Sequence, residues 1–273
     1  MDNASRRRLL QAGLALSLPL AALPRARAQA GSGDLARVVL GATVNPPYWD
    51  IVELIKPRAR DYGLDLVVKP FTDTRQINVL LGKGDLDANF NQHVPYLNQF
   101  NRDNKTNLVQ AAGVFIGVFG AYSKRYRRVA DVPDGALLVY PNDPSNSGRA
   151  LDMFARHGLI KLKEGAGIQA TRADIIDNPR KFRFREVEQP MLVRTLDDAD
   201  LVAINASYVL AIGINPVKDA LLLEGDSVFV SSIVTRPEIN DSVGIRRLAR
   251  AVTSPEVRDL LTRRFGDSVR VAF

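Results

Sequence analysis

The 273-residue sequence has no cysteine, two histidines, one tryptophan and three methionines. The absence of cysteine excludes a disulfide scaffold, a catalytic thiol and a zinc site with thiolate ligands. No His-Glu-x-x-His pair, Gly-x-Ser-x-Gly elbow or glycine-rich phosphate loop accompanies His93 and His157. The sequence therefore predicts a protein that is not an enzyme and that needs neither a metal nor a cofactor.

An uninterrupted stretch of 20 apolar residues, the length needed to span a bilayer, is also lacking. The most apolar stretch covers 15 residues, 9–23. A basic cluster, Arg6 to Arg8, precedes it and small residues follow it, which is the order of a signal peptide. The sequence SRRRLL over 5–10 resembles a twin-arginine export signal, with a general secretory signal as the alternative. We expect residues 1–30 to be an export signal that is removed.

The formal net charge of +7 is concentrated in this segment. The segment holds five arginines and one aspartate, so 37 basic and 30 acidic residues become 32 and 29 in the exported part, a net charge of +3. The densest basic run that remains, KRYRR at 124–128, is typical of a solvated surface turn. We therefore expect no nucleic-acid partner.

Strand-like and helix-like patterns alternate along the exported part. A β-branched run begins at Arg37, an amphipathic stretch follows over 48–62 with Pro57 expected to kink it, and a second strand covers 64–70. A similar block begins near Ala136. Such alternation indicates an α/β fold with mainly parallel sheets.

Two extended apolar runs, 113–122 and 228–235, connect the two blocks. They predict two lobes joined by two crossover strands, with residues 36–121 and 228–273 in lobe 1 and 122–227 in lobe 2. Ligands of open α/β sheets bind beyond the carboxyl ends of the strands, so we expect a ligand in the cleft between the lobes.

The stretch YPNDPSNSGR, residues 140–149, predicts a helix start that binds an anion. Ser145 or Asn146 can cap the helix, Gly148 keeps its first turn open, and the exposed amide groups favour negative charge. The planar guanidinium of Arg149, one turn further, matches a carboxylate or a phosphate. An ordinary surface arginine on a capped helix is equally compatible with this spacing.

Two further sets of polar residues belong near the same cleft. Asn205 follows a predicted strand, where its amide can bind an ammonium or a carboxylate, or can cap the next helix. His93 and Tyr96 are three residues apart and are predicted to share a helix face. Structural roles for both remain the alternative.

Three motifs, in order, resemble the NlpA-type lipoprotein family, the methionine-binding periplasmic components of ABC importers. They are GDLDANFNQHVPYL at 84–97, PNDPSNSGR at 141–149 and AINASY at 203–208. The resemblance extends from about Arg37 to the C-terminus. It implies a two-lobed periplasmic binding protein of the type II-like class, a monomer that closes on a free amino acid and presents it to an ABC permease of the inner membrane.

The resemblance also implies roles for individual residues. Arg149 would bind the α-carboxylate of the ligand, and Asn146 and Asn205 would order its carboxylate and ammonium. His93 and Tyr96 would line the side-chain pocket from the other lobe.

Three positions depart from the family pattern. Asn91 replaces an aromatic residue before the Gln-His pair, Thr74 replaces a tyrosine, and Ser231 replaces an asparagine of the return strand. The first two changes remove rings that would contact a thioether, so methionine and a smaller or more polar amino acid both remain candidates. A non-transport sensor for a small polar carboxylate and an enzyme on the same fold are the alternatives. Because no cysteine is available for lipid attachment, we expect a soluble periplasmic protein without a lipid anchor.

Overall fold

The computed structural model describes residues 35–225 and 227–273, so the predicted export signal over 1–30 lies outside the described residues. Within these residues the strands are β1 (Ala36–Thr43), β2 (Leu64–Phe71), β3 (Ala88–His93), β4 (Val109–Gly117), β5 (Phe119–Tyr122), β6 (Leu137–Pro141), β7 (Lys161–Leu162), β8 (Ile175–Asp177), β9 (Arg183–Val187), β10 (Leu201–Asn205), β11 (Leu222–Leu223), β12 (Val230–Thr235) and β13 (Val269–Val271). The α-helices are α1 (Tyr48–Ile55), α2 (Thr74–Lys83), α3 (Val94–Asn104), α4 (Pro144–Arg156), α5 (Gln189–Leu192), α6 (Ala206–Ala211), α7 (Val243–Val252) and α8 (Pro255–Leu260).

The first sheet has six strands in the order β13-β4-β12-β3-β1-β2. β1, β2 and β3 are parallel, as the strand–helix alternation predicts, whereas β12 runs antiparallel to both β3 and β4. The predicted helix over 48–62 is α only to Ile55 and continues as a 3-10 helix, Lys56–Tyr62. Pro57 explains the change, because its ring has no N–H and clashes with an α-helical turn before it.

The second sheet has five strands in the order β11-β5-β10-β6-β9. The second predicted block, which begins near Ala136, contributes β6 and β10, which are parallel. The sequence did not predict β9, which pairs in parallel with β6 at the edge of the sheet. Three of the five residues of β9 are charged and exposed, so its apolar signal is weak.

The apolar run 113–122 passes from the first sheet to the second, as the predicted crossover requires, but it forms two strands rather than one. β4 ends at Gly117 in the first sheet, and β5 begins at Phe119 in the second. The predicted lobe boundary after residue 121 thus assigns most of β5 to the first lobe. Both halves are apolar, so hydrophobicity gave no sign of the point at which the pairing partner changes.

Helices cover both faces of each sheet. Each of the four faces has its own apolar cluster. In the first sheet, α1, α7 and α8 pack on one face and α2 and α3 on the other; representative buried residues are Ile51, Leu248, Val257, Ile77 and Leu97. In the second sheet, α4 covers one face and α5 and α6 the other; representative buried residues are Phe154, Leu192 and Val209. None of the helices in the described part of the chain is long and apolar enough to cross a bilayer.

Candidate functional site

A cavity lies where the carboxyl ends of β1, β3 and β10 meet the first turn of α4. Its walls come from both sheets, so it occupies the cleft that the sequence predicts. All eight predicted site residues line it: Thr74, Asn91, His93, Tyr96, Asn146, Arg149, Asn205 and Ser231. The structure brings these residues together, and their contact with a ligand stays a prediction.

The start of α4 differs from the prediction in its cap. Asp143 is the N-cap and accepts from the Asn146 amide N–H at 3.0 Å, because Pro144 occupies the first helical position. Ser145 and Asn146 therefore lie inside the first turn. Gly148 allows a close approach, since a Cβ at this position would overlap the carbonyl oxygen of Ile168.

The guanidinium of Arg149 is buried and already ion-paired. Its Nε donates to Glu224 Oε2 at 2.6 Å and its Nη2 donates to Oε1 of the same carboxylate. Nη1 donates to Asn205 Oδ1 at 2.9 Å. The Arg149 Cζ lies 4.7 Å and 3.9 Å from the ring centroids of Phe119 and Phe229. The positive charge of Arg149 is thus balanced within the protein.

Glu224 was not predicted from the sequence. It stands directly after the apolar run Leu221 to Leu223, and a lone acid at the end of a buried strand is the signal that could have identified it.

A chain of side-chain amides continues from Arg149 along the cavity wall. Asn205 Nδ2 donates to Gln189 Oε1 at 2.7 Å and to Asn146 Oδ1 at 3.2 Å. Asn146 Nδ2 donates to Asp143 Oδ1 at 2.8 Å. Asn205 makes no side-chain cap on α6, so its amide serves the cavity wall rather than the helix. Gln189 escaped the sequence prediction because β9, the strand before it, was not recognised.

His93 joins the first sheet to this amide chain. It ends β3 and is the N-cap of α3, where Nδ1 accepts from the Tyr96 amide at 3.1 Å, so the prediction of a helix face shared with Tyr96 is wrong. Because Nδ1 accepts, the proton of the neutral ring lies on Nε2, which donates to Asn146 Oδ1 at 3.1 Å. Burial, with the nearby charge of Arg149, lowers the pKa of His93 to about 3. The ring therefore stays neutral.

Two tyrosines close the cavity near α2. Burial and the neighbouring carboxylate of Asp143 raise the pKa of Tyr96 to about 12. Burial also raises the pKa of Tyr208, and the interaction with the Thr74 side chain lowers the pKa of both phenols. These three residues come from α2, α3 and α6, so this contact also spans the two sheets.

Ser231 is paired with a tyrosine that no sequence pattern marks as a site residue. The Tyr48 hydroxyl and Ser231 Oγ are 2.8 Å apart, and burial raises the pKa of Tyr48 to about 12. The Tyr48 ring packs edge-on against Phe90 and Phe115, with centroid distances of 4.8 and 4.9 Å. Tyr48 lies in the helical stretch that predicted a core face, so its pattern gave no sign of a second role at the cavity.

The sequence model of the NlpA lipoprotein family matches residues 38–273. The chain belongs to this family. The D-methionine-binding lipoprotein MetQ of Salmonella typhimurium is 38% identical over 219 residues, which cover 79% of this chain and 81% of the relative. The family membership predicted from the three motifs is confirmed.

Solved structures of similar proteins have the same fold. A nutrient-binding protein from Burkholderia cenocepacia, bound to methionine, superposes with a TM-score of 0.83 at 36% identity, covering 86% of this chain and all of that one. A periplasmic substrate-binding protein of an ABC transporter from Coxiella burnetii gives 0.82 at 34% identity, with coverages of 86% and 100%. The predicted two-lobed α/β binding-protein fold is confirmed, and this NlpA-family chain is a substrate-binding protein.

The described residues contain no group of three or more histidine, aspartate or glutamate side chains that could hold a metal ion. The basic run at 124–128 is engaged in ion pairs: Lys124 with Asp197 at 2.6 Å, and Arg125 with Asp200 at 3.0 Å.

Proposed function

We propose that this chain is the periplasmic substrate-binding protein of an ABC importer, and that it binds a free amino acid, methionine or a related one. The observation that carries the proposal is the placement of Arg149, Asn146 and Asn205 on one wall of the cavity, with His93 and Tyr96 on the other. The methionine-binding names of the relative from Salmonella typhimurium and of the structure from Burkholderia cenocepacia support it.

The charge balance of the wall suits a zwitterion. Nη1 of Arg149 carries two hydrogens, and Asn205 Oδ1 takes one of them, so the other is available for the α-carboxylate. Glu224 already balances the guanidinium, so a ligand with net negative charge gains little there. An amino acid with equal positive and negative charge fits this wall better, its ammonium bound by amide oxygens such as Gln189 Oε1, which has a second lone pair beside the one that Asn205 Nδ2 occupies.

The residues support binding without turnover. His93 is neutral, and both of its ring nitrogens are engaged, with Tyr96 and with Asn146, so this histidine is not free to act as a base for a nucleophile. We propose that the two lobes, one built on each sheet, close on the ligand as a monomer, and that the closed form docks on a permease of the inner membrane.

Calorimetry tests the proposal. The full chain is purified, unfolded and refolded to remove any ligand carried from the cell, and then titrated with individual amino acids. We expect at least one amino acid to bind with a sub-micromolar Kd, a binding free energy of about −8 kcal/mol or better. If none of the amino acids binds, the proposed function is wrong.

We also propose export by the twin-arginine route, supported by the sequence SRRRLL at 5–10. Replacing Arg6 and Arg7 with lysine retains the positive charge of the segment. We expect the precursor to accumulate in the cytoplasm, measured by fractionation and immunoblotting, whereas Arg25→Lys leaves export unchanged. Export of the double variant at the normal rate would indicate the general secretory route.

A further inference from the structure

Strand β3 is fully buried although four of its six residues are polar. Three of them have their polar atoms paired. Asn89 Nδ2 and Gln92 Nε2 both donate to Asn78 Oδ1, at 2.5 and 2.6 Å, and Gln92 Nε2 also donates to Asn89 Oδ1 at 3.0 Å. Asn78 Nδ2 donates to Gln92 Oε1 at 2.8 Å, and His93 uses both ring nitrogens. Buried polar atoms of this strand are therefore paired as a rule.

Asn91 is the exception. Its Nδ2 donates to the Thr74 carbonyl at 3.1 Å, but its buried Oδ1 has no hydrogen-bond partner, although only 8% of the residue is exposed. Thr43 Oγ1, on a residue that is 2% exposed, also lacks a partner. Both residues line the cavity.

The two unpaired oxygens belong to neighbouring strands. Ala42 of β1 is in register with Phe90 of β3, so the next step of this parallel register places Thr43 beside Asn91. Residues in parallel register project to the same face of a sheet. One group of a ligand can therefore hydrogen-bond with both side chains. Leaving such oxygens buried and unpaired is costly, which makes them a site for a hydrogen-bonding group.

The lining residues in the described part of the chain include no aspartate or glutamate. Arg149 is the charged residue among them, and Glu224 outside the cavity balances it. A cationic side chain of a ligand would thus be buried without a counter-charge, which is unfavourable. The group that Asn91 Oδ1 needs is a neutral donor.

We propose that the preferred ligand is an amino acid whose side chain ends in a neutral hydrogen-bond donor, a carboxamide or a hydroxyl, which donates to Asn91 Oδ1 and hydrogen-bonds Thr43 Oγ1. This inference rests on the proposed function and narrows its ligand class. A thioether has no hydrogen to donate, so bound methionine would leave Asn91 Oδ1 unpaired. Sites built to hydrogen-bond a ligand group discriminate strongly against analogues that lack it.

The test compares ligands of similar length on the refolded full chain by calorimetry. Glutamine and homoserine supply a neutral donor, whereas methionine and norleucine do not. We expect glutamine or homoserine to bind at least about 10-fold more tightly than methionine and norleucine. If methionine or norleucine binds as tightly as the two polar ligands, this inference is wrong while the proposed function stands. Absence of binding by every amino acid instead overturns the proposed function itself.

Two variants test whether the preference for a polar ligand depends on Asn91 and Thr43. Asn91→Leu removes the acceptor at similar volume, and Thr43→Val removes the hydroxyl; each should reduce the preference for the polar ligand over methionine, with Asn91→Leu reducing it to about 3-fold or less. Asn240→Leu is the matched control, because Asn240 Oδ1 is also buried without a partner but does not line the cavity. An unchanged preference in Asn91→Leu would show that the ligand side chain does not donate to Asn91 Oδ1. If that variant does not fold, the comparison of ligands on the wild type tests the proposal.

Discussion

The guanidinium of Arg149 and the carboxylate of Glu224 form a buried ion pair at the wall of the cavity, with the arginine side chain only 2% exposed. The pair joins α4 to the segment after β11, and Asn205 extends it along the wall. Because each charge is removed from water, either one alone would be strongly unfavourable. The pair therefore fixes the position of this wall, and the carboxylate balances the positive charge of the guanidinium.

Glu224→Gln leaves the Arg149 guanidinium buried without a counter-charge. We expect the free energy of unfolding to fall by about 3 kcal/mol. Urea denaturation followed by the fluorescence of Trp49, the sole tryptophan, measures it. Asp152→Asn is the control: it breaks the more exposed pair between Asp152 and Arg156 and should cost less than about 1 kcal/mol. An equal loss in the free energy of unfolding for both variants would show that the pair between Arg149 and Glu224 stabilises the fold no more than the pair between Asp152 and Arg156.

Arg149→Ala should remove amino-acid binding. We expect a loss of at least about 2 to 3 kcal/mol of binding free energy, because the α-carboxylate would be buried without its partner. Calorimetry measures the loss, at a temperature where circular dichroism shows the variant to be folded. Arg156→Ala, two turns further along α4 and outside the cavity, should bind like the wild type. Retained affinity in Arg149→Ala would show that the carboxylate lies elsewhere.

The neutral, buried His93 predicts a loss of stability in mild acid. Its pKa of about 3 in the folded protein lies below the value of about 6.5 for an exposed histidine, so below pH 6.5 the unfolded chain takes up a proton that the folded chain does not. The contribution of His93 to the free energy of unfolding should fall by about 2 kcal/mol from pH 7 to pH 5.

Denaturation at both pH values, in the wild type and in His93→Gln, isolates this contribution. The variant should show a correspondingly smaller change between pH 7 and pH 5. An identical pH dependence in both proteins would mean that His93 takes up a proton between pH 7 and pH 5 as readily in the folded chain as in the unfolded chain.

Gly148 and Gly82 give opposite predictions for the same change within helices. Gly148→Ala forces a Cβ onto the Ile168 carbonyl oxygen, whereas at Gly82 the nearest atom is the Thr106 methyl at 3.9 Å. We expect Gly148→Ala to lower the free energy of unfolding by at least about 2 kcal/mol and Gly82→Ala to raise it by about 0.5 to 1 kcal/mol. Thermal denaturation compares the two, and stabilisation by both changes would rule out the close approach at Gly148.

Much of the site is predictable from the amino-acid sequence, because polar residues after apolar strands mark the carboxyl edge of a sheet. The eight predicted residues come from β3, β10 and β12 and from α2, α3 and α4, and they line one cavity. Glu224, Gln189, Thr43 and Tyr48 were missed. Their sequence neighbourhoods are ordinary, and their importance lies in what faces them from distant parts of the chain.

The sequence by itself determined the alternation of strands and helices, the family and the residue types at the cleft, since periodicity and local motifs are properties of neighbouring residues. Tertiary structure alone decided that 113–122 divides between two sheets, that Arg149 is neutralised by Glu224 and that Asn91 Oδ1 and Thr43 Oγ1 remain unpaired. Glu224 lies 75 residues from Arg149 in the sequence. Thr43 and Asn91, which are neighbours in the sheet, lie 48 residues apart. Such pairing is set by contacts between residues that are distant in the sequence, and no local pattern encodes it.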